Sequence, residues 1–208
     1  MSRLVALSTG HSKKDSGAIS RIDGTKEYDV NCAIVDLMER WGLHNAEFEM
    51  VDVPYEDEPY PIHLVHTVDA INAKRYEFEC CVEIHHNSSV NPNVYGAQTI
   101  YWDTSELGKS LAKKIAFCMD EVRVVMSAPF KKFWKDIQKN YYQPGAMATL
   151  RHLKRRLHYL SQTKIPAVIV EVGYLSNEHD LRVIHKLKPQ MAWAICKGID
   201  EWLNGLCG

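Results

Sequence analysis

The sequence lacks any apolar run as long as the roughly 20 residues that a membrane-spanning helix needs. Its first residues, MSRLVALSTGHS, contain one Arg and an apolar run too short for a secretory signal peptide. We therefore expect synthesis in the cytoplasm without a signal peptide and no membrane insertion. Internal repeats and low-complexity linkers are absent as well, and 208 residues suit one large α/β domain.

The six cysteines include no C-x-x-C pair, which argues against a zinc knuckle and against a thioredoxin-type redox motif. Cys80 and Cys81 are adjacent within an apolar run, and Cys32, Cys118 and Cys196 fall in helical patterns. Disulfide frameworks belong to oxidising compartments, whereas a buried free cysteine behaves as a small apolar residue. We therefore predict free, buried thiols.

A strong charge of either sign is missing too, because 25 Lys and Arg residues face 26 Asp and Glu residues. The net charge of -1 argues against a general nucleic-acid binder. Charge is nevertheless uneven: the stretch from Glu47 to Glu58 is acidic, and Phe130 to Lys164 is basic, opposed only by Asp136. Two interpretations stay open, either two solvated faces or a basic wall beside a cleft that takes an anionic polymer.

The chain does contain alternating apolar strands and amphipathic helices, and its apolar fraction of 46% is ample for a core. The predicted elements are strand 3–8, helix 27–41, strand 78–86, helix 105–125, strand 167–173, a helix start at Asn177 and a last helix through Met191 and Trp202. Strands that alternate with helices predict an α/β fold, a single domain over residues 1–208. We expect a mainly parallel or mixed twisted β-sheet flanked by helices on both faces.

Residues with metal-binding or catalytic chemistry lie at the ends of three predicted strands. His11 follows the first strand, His85 and His86 end the second, and Glu171 interrupts the third. Binding sites of open parallel sheets lie at the carboxyl ends of strands, which would bring these side chains together. Adjacent strand residues point to opposite faces, so only one of His85 and His86 can serve the site, and parity alone does not choose.

A carboxylate is predicted to join them from the first helix. Glu27 shares a helical face with Ile34 and Trp41, so it is directed inward, where a buried charge needs a partner. Two histidines and one carboxylate, with a further carboxylate nearby, suit a catalytic zinc with an open fourth position. The alternative for each histidine is a hydrogen-bonded structural role.

Four segments carry a family resemblance, in the same order as in that family. TGHSKKDSGA (9–18) resembles the segment D-P-G-H-G-G-x-D-P-G-A of the zinc-dependent N-acetylmuramoyl-L-alanine amidases. KEYDVN (26–31) is similar to the start of their glutamate-bearing helix, and EIHHN (83–87) to their S-I-H-x-N strand end. PAVIVEVGYLSN (166–177) closely matches P-A-V-L-V-E-x-G-F-L-S-N.

The chain also departs from the family pattern. Ser8 and Thr9 replace the usual Asp-Pro, and Ser12 replaces a Gly. The acidic and aromatic loop from Val51 to His66 has no counterpart.

The resemblance implies a zinc ion held by His11, Glu27 and His85, and it selects His85 because this histidine follows the isoleucine, two residues before Asn87. His86 would face the other way in a structural role. Glu171 would be the general acid and base. Asn87 and Arg151 are the substrate-contact candidates, Arg151 through a stem-peptide carboxylate.

The implied substrate is peptidoglycan, cleaved between the lactyl group of N-acetylmuramic acid and L-alanine. We expect a monomer, working in phage lysis, sporulation or wall recycling, on the wall after release or on wall fragments inside the cell. Two other functions stay open: a zinc carboxypeptidase or endopeptidase acting on stem peptides, and a metal-free wall-binding or regulatory module.

Overall fold

The computed structural model describes residues 3–126, 145–149 and 156–206. Within these ranges strands and helices alternate along the chain. In chain order the elements are β1 (Arg3–Thr9), α1 (Glu27–Trp41), β2 (Ala46–Met50), a 3-10 turn (Val53–Tyr55), α2 (Ile62–Ala73), β3 (Phe78–Asn87), β4 (Gln98–Tyr101), α3 (Glu106–Met126), β5 (Gly145–Ala148), α4 (His158–Gln162), β6 (Ala167–Tyr174) and α5 (Glu178–Gly205).

The strands form one mixed sheet in the order β2-β1-β3-β6-β4-β5. Neighbouring strands are parallel except for β4, which runs antiparallel to β6. The carboxyl ends of β1, β3 and β6 therefore meet at one edge of the sheet, and the reversed β4 brings its first residue, Gln98, to the same edge. Gln98 and His85 flank Glu171 there in register.

Strand alternation distributes the buried side chains between two layers. Val82 and Ile84 pack with α1, α3 and α5 on one face of the sheet. Cys81 and Ile169 pack with α2 and α4 on the other face. Apolar residues on both faces of a central strand require cover on both sides, so the predicted fold class, a helix-flanked mixed sheet, is confirmed.

The predicted elements are present with bounds that differ by a few residues at most. The side chain of Asn177 caps α5 by accepting a hydrogen bond from the backbone N–H of Asp180 at 3.0 Å. This helix is interrupted at Leu187, two residues before Pro189, whose ring cannot continue the backbone hydrogen bonding. Its second half is the predicted last helix.

The segment from Val51 to His66 is not wholly a loop, and this expectation was wrong. It contains the 3-10 turn, and α2 begins directly after Pro61. The helix was missed because two of its inward positions, His63 and Thr67, are polar and interrupt the apolar period. β2, β4, β5 and α4 were also not predicted, since each has at most five residues.

The cysteine prediction holds for the part of the chain that the structure describes. Cys80, Cys81, Cys118 and Cys196 are free and buried, and Cys32 is free and half-buried. In the same part, no helix has both the length and the apolar content needed to cross a bilayer.

Candidate metal centre

Three side chains that the sequence singled out meet at the carboxyl edge of the sheet. His11 lies in the loop after β1, Glu27 is the first residue of α1, and His85 lies near the end of β3. One ligand atom from each lies within 4.8 Å of the other two. Among the described residues this is the one such cluster of His, Cys, Asp or Glu.

Glu27 lies between the two imidazoles. Its Oε2 is 3.2 Å from Nε2 of His11, and its Oε1 is 2.9 Å from Nδ1 of His85. The Glu27 side chain is only 5% exposed, whereas those of His11 and His85 are 23% and 20% exposed. The buried carboxylate thus forms the closed side of the cluster, and the partly exposed imidazoles form its open side.

Backbone geometry at two residues brings His11 to this position. His11 itself has a φ of 68°, a left-handed conformation that is uncommon for a residue other than glycine and that recurs at functional sites. Gly17 has a φ of 67°, and a Cβ atom there would lie 2.5 Å from Cδ2 of His11 and 2.6 Å from Oε2 of Glu27. Glycine at this position therefore allows the loop to close around both side chains.

Backbone amides fix the Glu27 carboxylate from two sides. The N–H of Ala18 donates to Oε2 at 2.9 Å, and the N–H of His86 donates to Oε1 at 3.1 Å. Hydrogen bonds to the ionised form favour a carboxylate over a carboxylic acid. Glu27 is therefore held as an anion whose orientation is set by the loop before α1 and by β3.

The electrostatics of the cluster favour positive charge next to Glu27. Burial alone would raise the pKa of Glu27, but the hydrogen bonds and charges of His11 and His85 hold it well below its usual range. Burial alone would lower the pKa of both histidines, yet Glu27 raises that of His11, and Glu83 and Glu27 raise that of His85 well above its usual value. A site that attracts protons this strongly also suits a metal cation.

Each histidine also has a carboxylate on the ring nitrogen that faces away from Glu27. Oδ2 of Asp15 is 3.4 Å from Nδ1 of His11, and the Asp15 side chain is 36% exposed. Oε2 of Glu83 is 3.2 Å from Nε2 of His85, and the Glu83 side chain is 5% exposed. Carboxylates in this position orient histidine ligands of metals.

Glu171 lies beside the cluster on β6. Its strand register pairs it with His85 on one side and Gln98 on the other, and it shares the sheet face of Ile169 that α2 and α4 cover. The residue is 6% exposed, and its charge contributes to raising the pKa of His85. A buried carboxylate is thus present one strand away from the three-residue cluster.

Of the two substrate-contact candidates, the structure describes only Asn87. Asn87 ends β3, and its Nδ2 donates to Oε1 of Gln98 at 3.1 Å, while Nε2 of Gln98 donates to the hydroxyl of Tyr174 at 3.3 Å. This amide chain lies at the same edge of the sheet as the cluster. Arg151 lies outside the described residues.

His86 faces the opposite side of the sheet and is 2% exposed. Its Nδ1 donates to Oδ1 of Asn31 at 2.7 Å, and Nδ2 of Asn31 donates to the carbonyl of Gly10 at 3.0 Å. Neither Asn31 nor Glu83 was singled out as functional by the sequence. The only signal was spacing, since Asn31 is one helical turn after Glu27, and Glu83 shares strand parity with His85.

The donor set and its spacing fit one divalent metal ion. Two ligands on a single zinc ion can be at most about 4.2 Å apart, twice a typical bond length. The two distances from Glu27 to the histidine nitrogens, 3.2 and 2.9 Å, satisfy this limit. Two imidazole nitrogens with one carboxylate oxygen are ligands typical of zinc.

Comparisons with known proteins identify the family of the chain. The sequence profile of the N-acetylmuramoyl-L-alanine amidase family matches residues 5–201. A probable cell wall amidase, LytH, of Staphylococcus epidermidis is 25% identical over 204 residues, which cover 97% of this chain. The chain spans 59% of the length of that relative.

Solved structures share the fold. The N-acetylmuramoyl-L-alanine amidase AmiC2 of Nostoc punctiforme has a TM-score of 0.70 at 24% identity, with 98% of each chain covered. The CwlD amidase of Clostridioides difficile has a TM-score of 0.71 at 22% identity, with 98% of this chain and 99% of that one covered. The amidase Ami1 of Mycobacterium abscessus has a TM-score of 0.73 at 17% identity, with 97% and 98% covered.

Proposed function

This chain belongs to the N-acetylmuramoyl-L-alanine amidase family, and from that premise we propose that it hydrolyses the amide between N-acetylmuramic acid and L-alanine in peptidoglycan, using zinc. The products are a glycan strand and a stem peptide with a free L-alanine amino terminus. The observation that carries the proposal is the convergence of His11, Glu27 and His85 at the carboxyl edge of the sheet. The biological settings suggested by the sequence, phage lysis, sporulation and wall recycling, stay predictions.

His11 through Nε2, Glu27 through its carboxylate and His85 through Nδ1 are the proposed zinc ligands. Their ligand atoms lie within 4.8 Å of one another, and the partial exposure of the two histidines leaves a side from which water and the scissile carbonyl would approach. Bound zinc supplies a Lewis acid and lowers the pKa of water to about 7. This convergence of two histidines and a carboxylate argues against a metal-free binding module, and a metal assay on the purified protein decides between the two.

Glu171 is the proposed general base and acid. It accepts a proton from the attacking water through a carboxylate oxygen and returns that proton to the nitrogen that leaves with L-alanine. Its position beside His85 in the strand register supports this assignment. Glu27 is the proposed ligand because both of its oxygens face the histidines, so it cannot also serve as a mobile proton carrier.

An amide side chain at the strand ends is the proposed contact for the stem peptide. Asn87 is half-buried at the end of β3 and offers a side-chain amide, which the buried Gln98 holds through a hydrogen bond. An amide can pair with both the donors and the acceptors of a peptide. We propose that Asn87 contacts the stem peptide, while Glu171 transfers the proton at the bond to L-alanine. Arg151 stays a proposal from the sequence alone.

Product analysis on purified sacculi tests the reaction. We expect the protein loaded with zinc to release intact stem peptides and new L-alanine amino termini. A chelator should abolish the release, and zinc should restore it better than magnesium, because a nitrogen-rich ligand set disfavours hard, oxygen-seeking ions. A stem-peptide peptidase would instead release shortened peptides, and full activity in excess chelator after metal loss would contradict the zinc mechanism.

A further inference from the structure

The two ring nitrogens of His85 face different carboxylates. Nδ1 lies 2.9 Å from Oε1 of Glu27, which also contacts His11 through its other oxygen. Nε2 lies 3.2 Å from Oε2 of Glu83. Since Nδ1 and Nε2 lie on different edges of the imidazole, the metal-binding side and the Glu83 side of the ring are separate.

We propose that Glu83 is a positioning residue that holds His85 with its proton on Nε2 and its lone pair on Nδ1, directed at the metal. This inference rests on the proposed zinc site. Neutral imidazole carries one proton, and the hydrogen bond made by one nitrogen decides which nitrogen is left to bind a metal. A carboxylate on Nε2 fixes the proton there and leaves Nδ1 to coordinate.

The position of Glu83 on β3 favours its contact with His85. It precedes His85 by two residues on β3, so both side chains leave the strand on the same face, separated by about 6.6 Å along the strand axis. Both side chains are long enough to close that gap. Glu83 is 3% exposed, so little solvent competes for its carboxylate, and a charge buried this deeply needs a partner.

The ring of His85 is also confined from the side by Gly10. A Cβ atom at Gly10 would lie 2.3 Å from Cε1 and Nε2 of His85, closer than such atoms approach in proteins. The backbone of Gly10 is itself fixed, because its N–H donates to the carbonyl of Ile84 at 2.8 Å. Gly10 thus restricts the plane of the His85 ring. Within that plane, the contact with Glu83 determines which ring nitrogen faces Glu27.

Glu83 acts through His85 and not as a fourth ligand or as the base. The cluster of ligand atoms within 4.8 Å of one another contains Glu27 and leaves Glu83 out, among the residues described. Its counterpart at His11, Asp15, is more distant and far more exposed, at 3.4 Å and 36%. The buried contact at His85 therefore constrains its histidine more strongly than the exposed contact at His11.

The variant Glu83→Gln tests this role, because it keeps the size and an acceptor oxygen but removes the charge. We expect zinc to bind 10 to 100 times more weakly than to the wild-type protein, the range seen when such carboxylates are replaced. Zinc affinity is measured by competition with a chelating dye, and circular dichroism confirms the fold. Glu79→Gln, the same change at a half-buried position of the same strand, is the matched control and should leave zinc affinity unchanged.

A second measurement needs no variant. Two-bond proton–nitrogen NMR correlations on the wild-type protein loaded with zinc report which nitrogen of His85 carries the proton. We expect Nε2 to be protonated, and a proton on Nδ1 would overturn the proposal whatever the variants show. Unchanged zinc affinity in Glu83→Gln would also overturn it, whereas a wild-type protein that binds no zinc would contradict the proposed function itself.

Discussion

Replacing Glu171 by glutamine separates proton transfer from metal binding. The change keeps the length and shape of the side chain, so the β6 register with His85 and Gln98 should persist. Glutamine cannot accept the proton of the attacking water. We therefore expect Glu171→Gln to fold, to bind one zinc ion per chain and to lose most of its turnover.

The size of the expected loss in kcat depends on whether another carboxylate could take over proton transfer from Glu171. Glu27 has both oxygens within 3.2 Å of histidine nitrogens, and Oε2 of Glu83 faces Nε2 on the other edge of His85. Neither can replace Glu171 without leaving its partner. The full contribution of general acid and base catalysis, about 10²- to 10⁴-fold in kcat, should thus be lost, or about 2.7 to 5.4 kcal/mol of barrier height.

Metal content and initial rates, measured on the same preparation, show whether Glu171 transfers the proton or binds the metal. The rate is the release of L-alanine amino termini from sacculi, and metal is quantified by atomic emission. Glu47→Gln, an exposed glutamate on the edge strand β2, is the control and should behave as the wild type. A kcat within threefold of wild type with zinc bound would refute the assignment, and loss of zinc would make Glu171 a ligand.

Two further predictions concern the neighbouring histidines and one buried acid. His85→Ala should lose stoichiometric zinc, whereas His86→Ala should keep it, because the His86 ring faces Asn31 on the other side of the sheet; metal analysis showing the reverse pattern would mean that His86 is the ligand. Burial raises the pKa of Asp52 to about 6, although the N–H of Thr9 donates to its Oδ2 at 2.6 Å. A folded pKa above the ordinary value of 3.8 stabilises the protein at low pH, and this stabilisation, about 3 kcal/mol in full, is lost as the pH rises through 6. Urea titrations measure the free energy of unfolding of Asp52→Asn and of the wild type. The difference between them should grow in favour of Asp52→Asn by about 1.4 kcal/mol from pH 5 to pH 8, and a difference that does not change with pH would show that Asp52 titrates normally.

The sequence was sufficient for the parts of the fold that depend on local periodicity. Helix α1 follows from its apolar spacing, and Glu27 was placed inward by the same spacing, which its 4% exposure agrees with. Strand β6 follows from an apolar run after Pro166. These elements bury one continuous face or both faces, so their pattern records the burial directly.

Other features of the site depend on contacts between elements distant in the chain. Glu83 becomes a partner of His85 only because the two share a face of β3 that α2 covers, and α2 itself has the polar residues His63 and Thr67 at buried positions. The left-handed backbone of His11 likewise has no local signal in the sequence, because the residue is not glycine, which most often adopts this conformation. Local sequence cannot reveal a conformation that tertiary contacts impose.

The adjacent pair His85 and His86 shows how one strand end can organise a site from both of its faces. The ring of His85 and the backbone N–H of His86 both contact Oε1 of Glu27, so consecutive residues fix the same carboxylate oxygen. The ring of His86 then binds Asn31, one turn after Glu27 on α1, and Asn31 binds the carbonyl of Gly10, next to His11.

These contacts link the three elements that supply the cluster. Gly10 closes the connection by donating its N–H to the carbonyl of Ile84 on β3, the residue before His85. A movement of β1, α1 or β3 that separated the ligand atoms would therefore also break hydrogen bonds on the buried side. His86 therefore supports the cluster without belonging to it: its ring binds Asn31, and its backbone N–H, which an alanine at this position would keep, holds Oε1 of Glu27.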